Sequence, residues 1–231
     1  MSGLQDRLSD PVFIRSVLIE LLALVLSIAV HEFGHAFVAD RLGERIPRAQ
    51  GRVTLNPIAH ASLIGTIVIP LLNLTSGMNL LGWGKPVIHE GLYPGRGRMS
   101  RATASLMVSL AGPLMNVLIA AVLSVVFAAM VHLRFAVYAA DGTPLALHYV
   151  ASAIALNIGL ALFNLIPIPP LDGRSILFWF LPSSHPVVRY LEEYGQYVFI
   201  LLFFTGLLSI VMAPVGWITQ AWIQQLVRWA P

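Results

Sequence analysis

The sequence predicts an all-α polytopic membrane protein, and three observations carry that prediction. Of its 231 residues, 57% are hydrophobic and only 11% are charged, at a mean hydropathy of +0.79. A soluble chain carries about 25% charged residues, so much of the usual solvating surface is missing. Four apolar segments reach the roughly 20 residues that a membrane-crossing helix needs. Most charged residues stand between these segments rather than inside them. The composition excludes a disordered chain and fits a soluble enzyme poorly. Nucleic acid is no explanation for the pI of 9.6, since the excess is 14 Lys and Arg over 11 Asp and Glu, scattered along the chain. With no cysteine, disulfides and thiolate ligands are excluded, so any metal is held by His, Asp, Glu or Asn.

The elements follow in order. The first segment runs from Val12 through Val30 and on to Ala39, where Asp40-Arg41 stops it. It is too long for a signal peptide and lacks a basic leading region. A shorter stretch, Ala61 to Leu74, holds Gly65 and Pro70 and leads into Gly82-Trp83-Gly84. Its 14 residues suit a re-entrant element, β-like or short helical, rather than a span. The second span covers about Ala102 to Leu133, with Ala111-Gly112-Pro113 in its first half. A third runs from about Leu145 to Ile166 and breaks at Pro167-Ile168-Pro169-Pro170. The fourth, an additional transmembrane helix, covers about 187–212 and is stopped by Pro214. Beyond it, about 214–230, Val215, Ile218, Trp222, Leu226 and Trp229 recur at helical spacing opposite Gln220, Gln224 and Arg228. That pattern is an amphipathic helix in the membrane interface, with a plain packing helix as the equal alternative. Residues 1–231 read as a single membrane-embedded domain.

Orientation comes from the charges. With the short stretch re-entrant, one side carries Arg41, Arg45, Arg48, Arg52, Lys85, Arg96, Arg98, Arg101, Arg174 and Arg189. The other carries Arg7, Arg15, Arg134 and Arg228. Ten against four puts the N-terminus outside and the first loops in the cytoplasm. If the stretch spans, Lys85 to Arg101 change sides and the bias disappears.

Chemistry is concentrated in a few polar residues. A charge at mid-membrane costs at least about 2.5–3.5 kcal/mol, so acids in apolar segments are functional candidates. Glu20, Glu32 and Asp172 lie in such segments or at their edges. Glu32 belongs to His31-Glu32-Phe33-Gly34-His35, a full H-E-x-x-H. On a helix His31 and His35 project from one face and can share a metal ion, with Glu32 beside them to take a proton from water. Neutral imidazoles suit zinc, and a catalytic site keeps three protein ligands and an open position. Asp172 is the strongest third ligand: prolines stop the helix before it, and Gly173 permits a tight turn that aims the carboxylate at the histidines. Its bland alternative is a cap for the helix that follows. His60, His89, His132, His148 and His185 lie in loops or at segment ends, where a solvent- or headgroup-facing role is expected. Glu20, 11 residues before His31, is too far to be a ligand and pairs with a polar neighbour or marks a water path.

His31 to His35 on the first core helix, Ala111-Gly112-Pro113-Leu114-Met115-Asn116 on the second and Asn164 to Gly173 on the third resemble, in order, the motifs of the site-2 protease family of intramembrane zinc metalloproteases. The resemblance covers about 12–180, as a three-helix core without a PDZ or CBS domain. It implies one zinc ion per chain, held by His31, His35 and Asp172, with Glu32 as catalytic acid/base. It implies that Asn164 helps hold the substrate carbonyl or its oxyanion, and that Asn116 is a supporting core residue. In the place of the family's β-like region stand Arg48 to Leu55 and Gly82-Trp83-Gly84-Lys85-Pro86-Val87, the latter a candidate edge strand for an unwound substrate. The expected partners are the bilayer and single-span membrane proteins, for example anti-sigma-factor-like proteins or signal-peptide remnants, with no nucleic acid. The expected location is a prokaryotic cell membrane. At 1.5 Å per residue His35 and His31 lie about 9 and 15 Å from Arg41, so the site sits nearer the cytoplasmic face. A metal or proton transporter would spread ionisable residues through both halves of the bilayer, often in an inverted repeat. An idle scaffold would have no reason to keep all five polar residues.

Overall fold

The computed structural model describes residues 9–62, 65, 68–69, 93–135 and 145–229, and every regular element among them is helical. Helix α1, Pro11–Arg41, starts where the Asp10 carboxylate accepts the Val12 N–H at 2.9 Å and Pro11 fills the first turn. Its 31 residues reach about 46 Å, longer than a hydrocarbon core of about 30 Å. Short helices α2, Ile46–Ala49, and α3, Pro57–His60, follow. Ser100 caps α4, Arg101–His132, by accepting the Thr103 N–H at 3.1 Å. Helix α5, Leu145–Asn164, returns beside α4 and packs Ile154 and Ile158 against Ala120 and Phe127. The spans α1, α4 and α5 are each long and apolar enough to cross a membrane, and only 17–22% of each apolar stretch is buried inside the protein. A chain of this kind is a multi-pass membrane protein.

Both flanks of the segment between α3 and α4 lie at one end of the bundle. The Gly95 N–H donates to Leu42 O at 2.8 Å, and Ala39, Leu42 and Tyr93 pack with Ala104 and Val108. Burial, with Glu44 nearby, pushes the Tyr93 phenol up to about 12. Gly43, at φ 90°, makes this contact: a side chain there would meet Gly95 N at 2.6 Å. The end of α1, residues 93–95 and the start of α4 therefore lie together.

After α5 the chain turns through Leu165–Gly173, closed by the Gly173 N–H on Asn164 O at 2.6 Å. Helix α6, Arg174–Phe180, then runs beside the start of α4, with Ser175 Oγ 2.7 Å from Ser109 Oγ and Trp179 Nε1 donating to Thr103 Oγ1 at 3.1 Å. Helix α7, Pro186–Phe204, presses Gly195 onto Pro169, where any Cβ would collide with the ring. Helix α8, Leu207–Trp229, completes the described chain.

Three details differ from the sequence reading. The fourth apolar segment divides at Thr205-Gly206, where Gly206 takes φ 74°, and α8 runs on through Pro214. Proline removes one N–H but does not end a helix that neighbours support. Helix α8 packs on the bundle: Val215 meets Gly159, Trp222 Nε1 donates to Ser124 Oγ at 2.8 Å, and Ile223 and Leu226 join the Ile154 cluster. Secondly, Arg48 to Leu55 form no strand among the described residues; Pro47 starts a helical turn instead, and Arg48 binds Asp40 with two bonds of 2.7 and 2.6 Å. Thirdly, His60 is buried rather than solvent-facing, because its Nε2–H donates to Thr54 O at 2.8 Å while Arg52 donates to Ala59 O, folding the loop onto itself. Gly82 to Val87 lie outside the described residues.

The shared end gives a labelling pattern. The chain has no native cysteine, so Ala49→Cys and Arg98→Cys should react with an impermeant maleimide from one side of the membrane, and Leu133→Cys from the other. Labelling of Arg98→Cys from the side of Leu133→Cys would refute the topology.

Candidate metal centre

His31 and His35 point from the buried face of α1 toward α4 because they stand one turn apart. Each imidazole is oriented from behind. His35 Nδ1 lies 2.7 Å from Val108 O, and His31 Nδ1 lies 2.6 Å from Asn116 Oδ1. Both partners are acceptors, so each Nδ1 donates its N–H, and in the neutral imidazole each Nε2 then presents a lone pair. Those Nε2 atoms stand 3.0 Å apart, and each is 3.2 Å from Asp172 Oδ2. Three possible metal ligands thus converge within 3.2 Å of one another. Asp172 Oδ2 is buried and has no hydrogen-bond partner, which is costly unless a cation takes the lone pairs.

The donor set fits zinc. Two neutral imidazoles and a carboxylate are a common three-ligand set for a site that keeps a fourth position open. Histidine ligands that donate their other N–H to a carbonyl or amide oxygen have the usual supporting arrangement. Among the described residues, His31, His35 and Asp172 form the one such cluster, with their ligand atoms within 4.8 Å of one another.

Two glycines make the convergence possible. A Cβ on Gly112 would overlap His35 Nε2 and lie 2.7 Å from His31 Cε1, so only glycine leaves room for the two rings. A Cβ on Gly173 would overlap Leu165 O, so the turn that carries Asp172 also needs a bare backbone. Asp172 does not cap α6: Gly173 holds the cap position without a side-chain bond, and the carboxylate faces the histidines.

The other candidates separate. Glu32 is half-buried beside the pair and close enough to act electrostatically on His35. Asn116 is fully buried and touches His31 directly. Asn164 ends α5, where its amide donates to Leu160 O at 2.9 Å. Glu20, His132 and His148 are exposed, His185 accepts the Val187 N–H at the start of α7, and His89 lies outside the described residues. Sequence reasoning missed Asn157, which binds Asn116 at 2.9 Å. Its signal was available: an asparagine inside an apolar span needs partners. Val108 carries no such signal, since it acts through its backbone carbonyl.

A model of the family described as "Peptidase family M50" matches residues 19–144 and 129–206. The Bacillus subtilis protein named "Putative zinc metalloprotease YwhC" is 36% identical over 194 residues, 84% of this chain and 83% of that protein. "Putative zinc metalloprotease Rip2" of Mycolicibacterium smegmatis is 28% identical over 206 residues, 89% of this chain and 70% of the relative. A Mycobacterium tuberculosis protein of the same name is 32% identical over 153 residues, 66% of this chain and 53% of the relative. No solved structure matches.

The glycine contact predicts a specific loss. Gly112→Ala should lower zinc affinity at least about tenfold, because its methyl group displaces both rings. Wild-type affinity in that variant, measured by chelator competition in detergent, would contradict the packing.

Proposed function

The chain belongs to peptidase family M50, the site-2 protease family, and from that premise we propose that it is a zinc metalloprotease that hydrolyses peptide bonds in or near transmembrane segments of membrane proteins. The observation that carries the reading is the meeting of His31 Nε2, His35 Nε2 and Asp172 Oδ2 within 3.2 Å of one another. Zinc held there would supply Lewis acidity, lowering the pKa of water and polarising a carbonyl. The names of the relatives in Bacillus and Mycolicibacterium point the same way.

In this reading each residue has a task. His31, His35 and Asp172 would hold the ion. Glu32 accepts a proton from the attacking water and delivers it to the leaving nitrogen. Asn164, on turning from Leu160 O, donates to the oxygen on which negative charge develops. Helical substrates hide their carbonyls in backbone bonds, so a single-span substrate must unwind first, and Gly82 to Val87 are the candidate strand to hold it. The ten-to-four distribution of basic residues supports a site nearer the cytoplasmic face.

The test separates binding from chemistry. Glu32→Gln should retain zinc but lose at least about a hundredfold in cleavage of a single-span substrate in detergent. Asp172→Ala should lose bound zinc. Unchanged turnover in the first variant would end the proposed mechanism, and full metal occupancy in the second would move the third ligand elsewhere.

A further inference from the structure

The two histidines are oriented by unlike partners. His35 Nδ1 faces Val108 O, a helix carbonyl that can only accept. His31 Nδ1 faces the side-chain amide of Asn116, whose oxygen and nitrogen exchange places on a half-turn. With the nitrogen toward His31, the proton of the neutral imidazole would move to Nε2, and the lone pair that faces Asp172 would be lost. Something must hold the Asn116 amide one way round.

We infer that Asn157 is a positioning residue that locks the Asn116 amide, and through it holds His31 in the tautomer able to bind metal. Asn116 Nδ2 donates to Asn157 Oδ1 at 2.9 Å and, at a longer 3.3 Å, to Ser27 O. Asn157 is itself set: its Nδ2 donates to Ala153 O at 2.9 Å and to Ser27 Oγ at 2.9 Å. Ala153 O is a backbone acceptor, so it determines which end of the Asn157 amide faces which way. The direction then passes from Ala153 to Asn157, to Asn116 and to His31, acceptor to donor at each step. Reversing Asn116 would set N–H against the histidine only by turning its oxygen toward two other acceptors. Asn116 and Asn157 are both almost fully buried, at 0% and 1% exposure, so water cannot substitute for a lost partner. The lock also joins the three spans, since Ser27 and His31 lie on α1, Asn116 on α4 and Asn157 on α5.

The inference rests on the proposed metal centre, and the test distinguishes the two. Zinc affinity is measured by competition with a chromophoric chelator on the full chain in detergent, with the visible spectrum of the cobalt-loaded protein as a second readout. Asn157→Val, which removes the acceptor for Asn116, should weaken zinc about 10- to 100-fold, the usual cost of losing a supporting partner. Asn157→Asp, as the neutral acid that a fully buried carboxyl favours, keeps an acceptor toward Asn116 and a hydroxyl donor toward Ala153 O, and should stay within about threefold of wild type, with its cobalt spectrum unchanged. Asn116→Asp presents acceptors only, so His31 cannot lose its partner by rotation, and adding Asn157→Val in that background should cost less than about threefold. A merely structural Asn157 would instead make the double variant worse than either single one. If wild type binds zinc and Asn157→Val binds it equally well, the lock is overturned. A full cost of Asn157→Val in the Asn116→Asp background overturns it too. Wild type that binds no zinc overturns the metal centre and the lock together.

Discussion

At Gly34 and Gly112 the backbones of α1 and α4 approach so closely that a methyl group on either would collide with the opposite helix, at Ala111 O and Met115 for the first and at both imidazoles for the second. The approach sets the depth at which His31 and His35 meet α4. It also brings Val108 O and the Asn116 amide within hydrogen-bond reach of the two Nδ1 atoms. A wider crossing would leave the histidines facing lipid or a void, with no acceptor to fix their tautomers. Small residues at a membrane helix crossing thus serve packing and chemistry at once.

A second consequence follows from the apolar surroundings. Without water, each polar group needs a protein partner, and the partners form a continuous chain from Ala153 O through Asn157 and Asn116 to His31. The chain ends at the two Nε2 atoms, 3.0 Å apart, and at Asp172 Oδ2, which has no hydrogen-bond partner. That end is where a cation is needed. The polar network and the candidate metal centre are therefore two parts of one hydrogen-bond account, satisfied internally on one side and open to an ion on the other.

The turn carrying Asp172 depends on elements distant in sequence. Gly173 packs against the Leu165 and Ile166 carbonyls, and Gly195 on α7 closes over Pro169. Helix α8 buttresses the far half of α4 and α5 through Trp222 and Ile223. The last two helices thus support the core from outside, one against the loop that carries Asp172 and one along the spans.

Composition and segment length by themselves determined the class of protein, the positions of α1, α4 and α5, and the residues His31, Glu32, His35 and Asp172 as candidates. These were legible because they rest on short-range regularities: apolar runs of spanning length, the i, i+4 spacing of a helix, and prolines that stop one. The position of the break at Gly206, the burial of His60 and the packing of α8 were not legible, since each depends on which neighbour supplies a partner or a surface. Only the tertiary structure decided that Asp172 faces the histidines rather than capping α6, that Gly112 is the space in which the rings sit, and that Asn157 sets Asn116. The physical reason is the direction of hydrogen bonds. A sequence names donors and acceptors, but only the fold decides which lone pair is left without a proton.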